Sequence, residues 1–292
     1  MKILDSLFGK NAKVVCKKGK CIIAKCDNNM YAVKKNCENV KKTYEYLESR
    51  SFEYFPKIVK SNNEYNAFEY INEVNNPMEQ KAFDMVNLLS MLHNKTTFYR
   101  EMDKDEYKEL FENIQKRIND VAYYYINLIN MIETKIFMSP SEYLIARNIS
   151  KILGSLEYSR KTINDWYDIV KNNAKKRVSL IYDNADINHV LRDKELYLIN
   201  WEKAKIDIPI YDLYKFYKKY ALYFNFKELL KYYEDKYPLL DEEKMLFNVL
   251  ISIPEVITFK DTEIENCKKI KKMIDYIYRT ELIVGQIPLS EK

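Results

Sequence analysis

Residues 179–213 constrain the fold of this chain more than any other stretch, because apolar and polar runs alternate there at short intervals. The segment reads SLIYDNADINHVLRDKELYLINWEKAKIDIPIYDL. Two short apolar strands flank a polar loop, and a proline-marked turn and a new helix follow. Polar side chains in a loop between apolar elements are a common arrangement of binding and catalytic sites. The segment therefore predicts a site built on a strand–loop–strand unit.

Composition indicates a globular chain and argues against two kinds of partner. Of the 292 residues, 47% are hydrophobic and 31% charged, which excludes a disordered chain. The four glycines leave little room for a glycine-rich phosphate loop. The net charge of +5 is spread over 48 basic and 43 acidic residues without a basic stripe, so we expect no nucleic-acid partner.

Targeting and redox signals point to the cytoplasm as the default location. No apolar run approaches the length of a membrane span, and the first residues lack the apolar core and cleavage site of a secretory signal. No CxxC pair occurs and the chain has two histidines, so a zinc site is not expected. We expect buried, reduced thiols at the five cysteines, Cys16, Cys21, Cys26, Cys37 and Cys267.

The first part of the chain predicts a small β-rich domain. Residues 12–34 contain three apolar runs separated by polar turns at residues 17–19 and 27–29, which is typical of a strand meander. A helix over residues 38–50 and two more strands, KIVK and YNAFEYI, complete this domain. The polar, proline-ended segment INEVNNP at residues 71–77 predicts a division into domains 1–72 and 73–292.

The remainder of the chain is predominantly helical. Residues 104–133 have a nearly heptad apolar stripe, which predicts one long amphipathic helix. Ser139 and Glu142 form a capping-box pattern with Pro140 in the first turn, so a second long helix starts here and continues toward Val170. Further tyrosine-rich helices follow residue 213. The predicted fold class is α+β, with a small β-rich lobe and a larger, mostly helical lobe.

This layout and one motif resemble the aminoglycoside phosphotransferase and choline kinase superfamily, a group with a protein-kinase-like two-lobe fold. The family pattern is LxHGDxxxxNxL, then IDWE, then PxxDL, and here the text is LIYDNADINHVL, LINWEKA and PIYDL without a gap. LLSMLH, ending at His93, matches the LLxxLH helix of the family. Within the superfamily, the chain looks nearest to the spore-coat (CotS-type) kinase-like proteins of endospore-forming bacteria. The flanking matches are Ile181, Val190, Leu191, Leu198, Ile199, Trp201, Glu202, Pro209, Asp212 and Leu213.

The departures from the family pattern fall on its chemistry. The catalytic-loop histidine of the family falls on Tyr182, its glycine on Asp183 and its catalytic aspartate on Asn184. The metal-binding asparagine falls on His189 and the metal-binding aspartate on Asn200. Phosphoryl transfer depends on positioning and on divalent metal ions, and magnesium prefers anionic oxygen ligands. These changes therefore oppose catalysis and make magnesium binding doubtful.

The resemblance also implies residues for ATP in the first lobe. Lys34 matches the strand lysine that contacts the α and β phosphates, with Glu45 as its helix partner and Glu48 as the alternative. Residues 68–71 match the linker strand whose backbone faces an adenine, which places Glu69 and Ile71 beside the nucleotide. The competing interpretation of Lys34 is an exposed lysine at a strand end.

A shifted register would change the catalytic prediction. Asp183 or Asp186 would then replace the missing aspartate, and Glu202 would reach a metal ion. Such a shift would take the flanking residues out of alignment with the family pattern that they match. The simpler interpretation of Glu202 is an ion pair with a nearby lysine on the surface.

Two polar residues outside the motif changes have structural interpretations. His93 is a satisfied core histidine at a helix end. Asp212 is the N-cap of the helix that follows, and the resemblance adds that it braces the catalytic loop.

Three functional hypotheses follow. The first is a pseudokinase that binds a small molecule or a protein partner, with a role in the spore coat implied by the resemblance. The second is an active ATP-dependent phosphotransferase that acts on a small hydroxylated substrate with a non-standard metal set. The third is a sensor that holds ATP without metal.

Overall fold

The computed structural model describes residues 2–9 and 12–285 of the chain. In chain order the helices are α1 Lys2–Phe8, α2 Glu38–Ser49, α3 Met78–Thr96, α4 Lys104–Glu133, α5 Pro140–Val170, α6 Ile210–Tyr220, α7 Phe226–Glu234, α8 Asp241–Ser252 and α9 Glu263–Val284. The strands are β1 Ala12–Lys18, β2 Cys21–Cys26, β3 Asn29–Lys35, β4 Ile58–Ser61, β5 Tyr65–Glu69, β6 Phe98–Glu101, β7 Lys175–Ile181, β8 Val190–Arg192, β9 Leu196–Leu198 and β10 Lys205–Asp207.

The chain divides into two compact units. The first unit comprises Met1–Thr97 and Ser179–Asp212, and the second comprises Phe98–Val178 and Leu213–Lys292. This division differs from the domains 1–72 and 73–292 expected from sequence, which remain a prediction. Within the first unit α3 packs against β8 and β9, so this helix and the 179–212 segment group with the N-terminal sheet.

The sheet of the first unit has the predicted strands in the antiparallel order β1-β2-β3-β5-β4. Lys18 pairs with Cys21, so the turn between β1 and β2 consists of residues 19 and 20, and Gly19 has a φ of 55°. A two-residue hairpin turn requires a positive φ, which glycine adopts readily. Asp27, in the turn between β2 and β3, also has a positive φ of 53°.

Aromatic side chains form part of the core of the first unit. The rings of Tyr44 on α2 and Phe55 lie 4.2 Å apart between centroids. Trp201 is 1% exposed and packs edge-on against Phe52 and Tyr182. These contacts place the segment after β9 directly against the residues that follow α2.

The 179–212 segment contains more strands than the two predicted around its polar loop. The last residues of β7 pair with β10, and β8 and β9 form a small hairpin. Short 3₁₀ turns at Ile187–His189 and Trp201–Lys203 connect them. Three-residue strands are too short to produce a periodic pattern in the sequence.

The second unit consists mainly of helices. Helix α4 has the predicted bounds, and α5 begins with the predicted capping box. The Ser139 hydroxyl accepts from the Glu142 amide, and the Glu142 carboxylate accepts from the Ser139 amide at 2.9 Å. The short strand β6 pairs with the first residues of β7 and was not predicted.

The five cysteines are free thiols, and the predicted burial is correct for Cys26 and wrong for the other four. Cys26 is buried, Cys16 is exposed, and Cys21, Cys37 and Cys267 are half-buried. The hairpin of β1 and β2 places Cys16 on a strand whose side chains mostly face solvent. Across residues 2–9 and 12–285, no helix is both long and apolar enough to span a bilayer.

Candidate functional site

A buried carboxylate organises the loop after β7. Asp212 is 0% exposed and accepts the backbone N–H groups of Tyr182 at 2.7 Å and Asp183 at 2.6 Å. The imidazole Nε2 of His93 lies 3.1 Å from Oδ2 of the same carboxylate. This geometry confirms that Asp212 braces the loop and that His93 is a satisfied core histidine.

The predicted N-cap role of Asp212 is wrong. Helix α6 begins at Ile210, so Asp212 lies in its first turn instead of preceding it. Pro209 supplies a carbonyl to the Asp212 amide at 3.2 Å, which starts the helix earlier than the apolar pattern indicated.

Tyr182, Asn184 and His189 form an internal hydrogen-bond network. The Tyr182 hydroxyl donates to the carbonyl of Ile199 and lies 3.0 Å from Nδ1 of His189. The same Nδ1 lies 3.0 Å from the Asn184 carbonyl. Because a carbonyl only accepts, we assign the Nδ1 proton of His189 to the bond with Asn184. His189 therefore directs Nδ1 into the loop as a donor.

Burial keeps Tyr182 in its protonated form. The side chain is 0% exposed, and burial raises the pKa of Tyr182 well above its ordinary value. The negative charges of Glu202 and Asp212 add to the increase in pKa. The phenol therefore serves as a fixed hydrogen-bond donor and not as an acid or base at neutral pH.

The two aspartates of the loop have different positions. Asp183 is half-buried and has a left-handed backbone with a φ of 58°. Asp186 caps the 3₁₀ turn Ile187–His189, since its Oδ1 accepts from the amide of Asn188 at 2.9 Å. The carboxylate of Asp186 thus already has a structural role.

Lys34 on β3 contacts Asn200 and Glu202, two residues predicted at metal positions. Its ammonium donates to Oδ1 of Asn200 and lies 3.4 Å from Oε1 of Glu202. The Lys34 side chain is 20% exposed, so it is not the freely exposed strand-end lysine of the competing interpretation. The simpler expectation for Glu202, an ion pair with a lysine, is confirmed.

The expected pairing of Lys34 with α2 is wrong. Glu45 is exposed on α2, and Glu48 pairs with Lys57 at 3.0 Å. Lys34 instead takes its carboxylate partner from residue 202, which is 168 positions away in sequence. A contact of such sequence separation has no local signal.

Asn39 is a site residue that the sequence did not identify. Its Nδ2 donates to the carbonyls of Glu202 at 3.0 Å and Ala204 at 3.1 Å. It thereby fixes the 3₁₀ turn after Asn200, whose own backbone is left-handed with a φ of 69°. Asparagine is common at exposed positions near the start of a helix, so the sequence around residue 39 did not distinguish Asn39 from an ordinary surface residue.

A cavity of about 310 Å³ adjoins Lys34. Apolar side chains of the sheet and of the 179–212 segment form its walls, among them Ile23, Ala32, Phe68, Ile71, Leu191 and Ile199. Glu69 lines the cavity as well, and its carboxylate accepts from the Lys57 amide at 3.0 Å. Cys21 is a further lining residue, and burial raises the pKa of its thiol. This volume lies at the lower end of the range of small-molecule pockets.

The predicted residues fall into two groups. Lys34 contacts both Asn200 and Glu202, and the Asn184 amide donates to the Asn200 carbonyl at 3.4 Å. Tyr182 and His189 connect to Asn184 through the network described above. Glu69 and Ile71 line the same cavity as Lys34, whereas Glu45 and Asp186 are absent from its lining.

The three residues that the sequence resemblance assigns to metal binding, His189, Asn200 and Glu202, do not fit a magnesium ion. Asn200 presents a neutral amide oxygen that already faces the Lys34 ammonium, and Glu202 pairs with that same ammonium. His189 directs its Nδ1 proton into the loop. In the described part of the chain, no three His, Cys, Asp or Glu residues cluster as metal ligands. Magnesium favours anionic oxygens, and a neighbouring ammonium repels it.

We compared the chain with protein-family models, curated proteins and solved structures. No protein-family model matches the sequence, and a search of curated proteins found no match. An aminoglycoside phosphotransferase from Alicyclobacillus acidocaldarius superposes with a TM-score of 0.72 at 10% identity, over 98% of this chain and 95% of that one. The fold is kinase-like.

Further structures are similar to this kinase-like fold. Spectinomycin phosphotransferase in an AMP-bound complex matches with a TM-score of 0.57 at 13% identity, over 100% of this chain and 98% of that one. Its complex with ADP and spectinomycin matches with a TM-score of 0.50 at 12% identity, over 96% and 97% of the two chains. The predicted fold class is confirmed.

Proposed function

We propose that this kinase-like chain is a pseudokinase that binds a ligand in the cavity beside Lys34 and transfers phosphate poorly or not at all. One observation carries the proposal: the ammonium of Lys34 donates to Oδ1 of Asn200, the oxygen at the metal position. On the proposed register this oxygen would face a metal ion that neutralises phosphate charge, and it faces the Lys34 ammonium instead. The carboxylate that remains nearby, Glu202, pairs with the same lysine.

The backbone of the loop supports the sequence register behind this proposal. Asp183 falls on the glycine of the family motif, and its φ of 58° is a conformation that glycine adopts readily and aspartate tolerates. That register leaves Asn184 at the place of the catalytic aspartate. An amide side chain cannot accept a proton from a substrate hydroxyl at neutral pH.

The cavity supports a nucleotide or a nucleoside as the ligand. Its apolar walls include Ala32, Phe68 and Ile71, which suit a flat aromatic base. Lys34 lines the same cavity, and its ammonium would meet a phosphate. Spectinomycin phosphotransferase has been solved in complex with AMP and with ADP, which supports ATP as the first ligand to test.

Titration with ATP tests ligand binding and catalysis separately. We expect ATP to raise the melting temperature and to bind with the same affinity in magnesium and in EDTA. We expect no γ-phosphate transfer to a panel of hydroxylated and amino-alcohol substrates. Lys34→Ala should abolish ATP binding, while Lys161→Ala, an exposed control, should not. Magnesium-dependent turnover that disappears in Lys34→Ala would overturn the proposal.

An active phosphotransferase is the alternative, and the retention of Lys34 and Glu202 in one cavity favours it. On this hypothesis Asp183, Asp186 or Glu202 supplies the missing carboxylate. Asp183→Asn, Asp186→Asn or Glu202→Gln would then remove activity with ATP and a hydroxylated substrate. If all three variants match the wild type in every transfer assay, the alternative has no catalytic residue left.

A role in the spore coat rests on the sequence resemblance alone. Locating a tagged copy of the chain during sporulation of its host tests it. Even distribution through the vegetative cytoplasm would argue for a different setting while leaving the ligand-binding proposal intact.

A further inference from the structure

A second cavity lies entirely within the helical unit. It has a volume of about 460 Å³ and is lined by residues of α6, the end of α8, α9 and the segment between α8 and α9. None of the residues that line the cavity beside Lys34 belongs to it. The proposals made above for the kinase-like site do not involve it.

One wall of this cavity is held in place by tyrosine side chains of α4. The segment after α8 is neither helix nor strand, yet the Tyr125 hydroxyl donates to the Glu255 carbonyl and the Tyr124 hydroxyl to the Ile257 carbonyl, both at 2.5 Å. Tyr125 is 0% exposed. The wall is therefore built into the fold, and a ligand would enter a pre-formed space.

The floor of the cavity is apolar. Ala221, Leu250, Ile253 and Met273 line it, and each is buried. Apolar surface of this kind favours the hydrocarbon or aromatic part of a ligand, because burial removes that part from water.

The rim of the cavity is strongly basic. Four lysines and one glutamate are its charged lining residues. Lys218 pairs with Glu255 at 3.0 Å, and Lys269 pairs with Asp261. Lys272 is exposed and has no carboxylate partner within residues 2–9 and 12–285. The uncompensated charge can meet an anionic group of a ligand.

From this combination we propose that the cavity is a binding site for an organic anion with an apolar body, such as a medium-chain carboxylate or phosphate ester. The apolar part would lie on Leu250, Ile253 and Met273, and the anionic group would face Lys218 and Lys272. A neutral molecule of the same shape cannot form an ion pair with these lysines, and a cationic one is repelled by them.

Isothermal titration of the full chain with sodium decanoate tests the proposal. We expect saturable binding of one decanoate per chain with a Kd below about 1 mM. Decyl phosphate in a parallel titration distinguishes the two headgroups, and 1-decanol and decyltrimethylammonium serve as neutral and cationic counterparts. Both counterparts should bind at least about tenfold more weakly, since they lose the charged contact.

Variants separate this site from general hydrophobic binding. Lys218→Glu and Lys272→Glu should each weaken decanoate binding about tenfold, whereas Lys161→Glu, an exposed lysine of α5 outside the lining, should leave it unchanged. Thr258→Trp, at an exposed lining position, should block the cavity without removing any charge. Absence of saturable binding, equal affinity for 1-decanol, or indifference to all three cavity variants would overturn the proposal.

Discussion

The Nε2 atom of His93 lies 3.1 Å from Oδ2 of Asp212, and neither side chain is exposed. The same carboxylate accepts the amides of Tyr182 and Asp183. One buried carboxylate therefore joins the end of α3 to the loop that follows β7. The loop keeps a fixed shape because its first two amides donate to one strong, buried acceptor.

Asp212→Asn should destabilise the chain by about 3 kcal/mol, because one amide oxygen cannot accept all three donors and the new NH₂ group would face an N–H. Urea unfolding at neutral pH measures the change. Asp165→Asn, at an exposed position of α5, should stay within about 0.5 kcal/mol of the wild type. A loss below about 1 kcal/mol for Asp212→Asn would mean that the charge of the buried carboxylate does not stabilise the loop after β7.

Aspartates at residues 184 and 200, the catalytic and metal positions of the proposed register, should create a magnesium site. Asn200→Asp places an anionic oxygen beside Lys34 and Glu202, and we expect Mg²⁺ to bind about tenfold more tightly in the presence of ADP. Titration with MgCl₂ measures the gain, and the double variant with Asn184→Asp tests for γ-phosphate transfer. Asn173→Asp, an exposed control, should change neither quantity. Equal Mg²⁺ affinity in wild type and Asn200→Asp would contradict the role assigned to the amide.

The sequence predicted the elements that are long and periodic. The bounds of α4 were predicted correctly because its apolar stripe persists over the whole helix. The start of α5 was predicted because Ser139 and Glu142 form a local hydrogen-bonded unit. Strands β6, β8 and β10 were missed, since three or four residues give no period and such strands form when a partner strand is present.

The candidate site was predicted in part for the same physical reason. The loop 182–189 is contiguous in sequence, so its altered residues were visible together. The contacts of Lys34 and Asn39 with residues 200–204 cross more than 160 positions and depend on how β3 and α2 meet the segment after β9. No spacing rule in the sequence encodes such contacts, so Glu45 was assigned to Lys34 and Asn39 was missed.

Stability should fall steeply in alkaline solution. Burial raises the pKa of Tyr107 and of Tyr217 to about 12, above the ordinary value of 10.0. The native chain keeps these protons at a pH where the unfolded chain has released them. The contribution of these tyrosines to the free energy of unfolding is therefore fully present below pH 10 and is lost as pH rises toward 12. The free energy falls by about 1.4 kcal/mol per pH unit for each tyrosine.

Urea unfolding between pH 8 and pH 11 measures this slope, and two variants on α4 test its origin. Tyr107→Phe should reduce the slope by about 1.4 kcal/mol per pH unit, which corresponds to one proton, because Tyr107 is 6% exposed and its phenol is shielded from water. Tyr123→Phe should leave it unchanged, because Tyr123 is 71% exposed. Equal slopes in the two variants would show that buried tyrosines do not govern alkaline unfolding.

Arg177 and Glu243 provide the sharpest stability test in the helical unit. The Nε atom of Arg177 donates to Oε1 of Glu243 at 2.9 Å, Nη2 donates to Oε2, and the side chains are 11% and 5% exposed. Nη2 also donates to the Pro238 carbonyl at 2.9 Å. Lysine cannot reproduce this planar fork, so Arg177→Lys should reduce the free energy of unfolding by about 2 kcal/mol.

The exposed ion pair of Arg160 and Glu157 is a matched control, with 2.6 Å between Nη1 of Arg160 and Oε2 of Glu157. Arg160→Lys should change stability by less than about 0.5 kcal/mol, since solvent screens an exposed pair. A double-mutant cycle with Glu243→Gln isolates the pairwise energy from the loss of the Pro238 contact. If Arg177→Lys and Arg160→Lys lose equal stability, burial adds nothing to the Arg177 fork. A larger loss at Arg177 that Glu243→Gln removes would assign the difference to the buried bidentate pair.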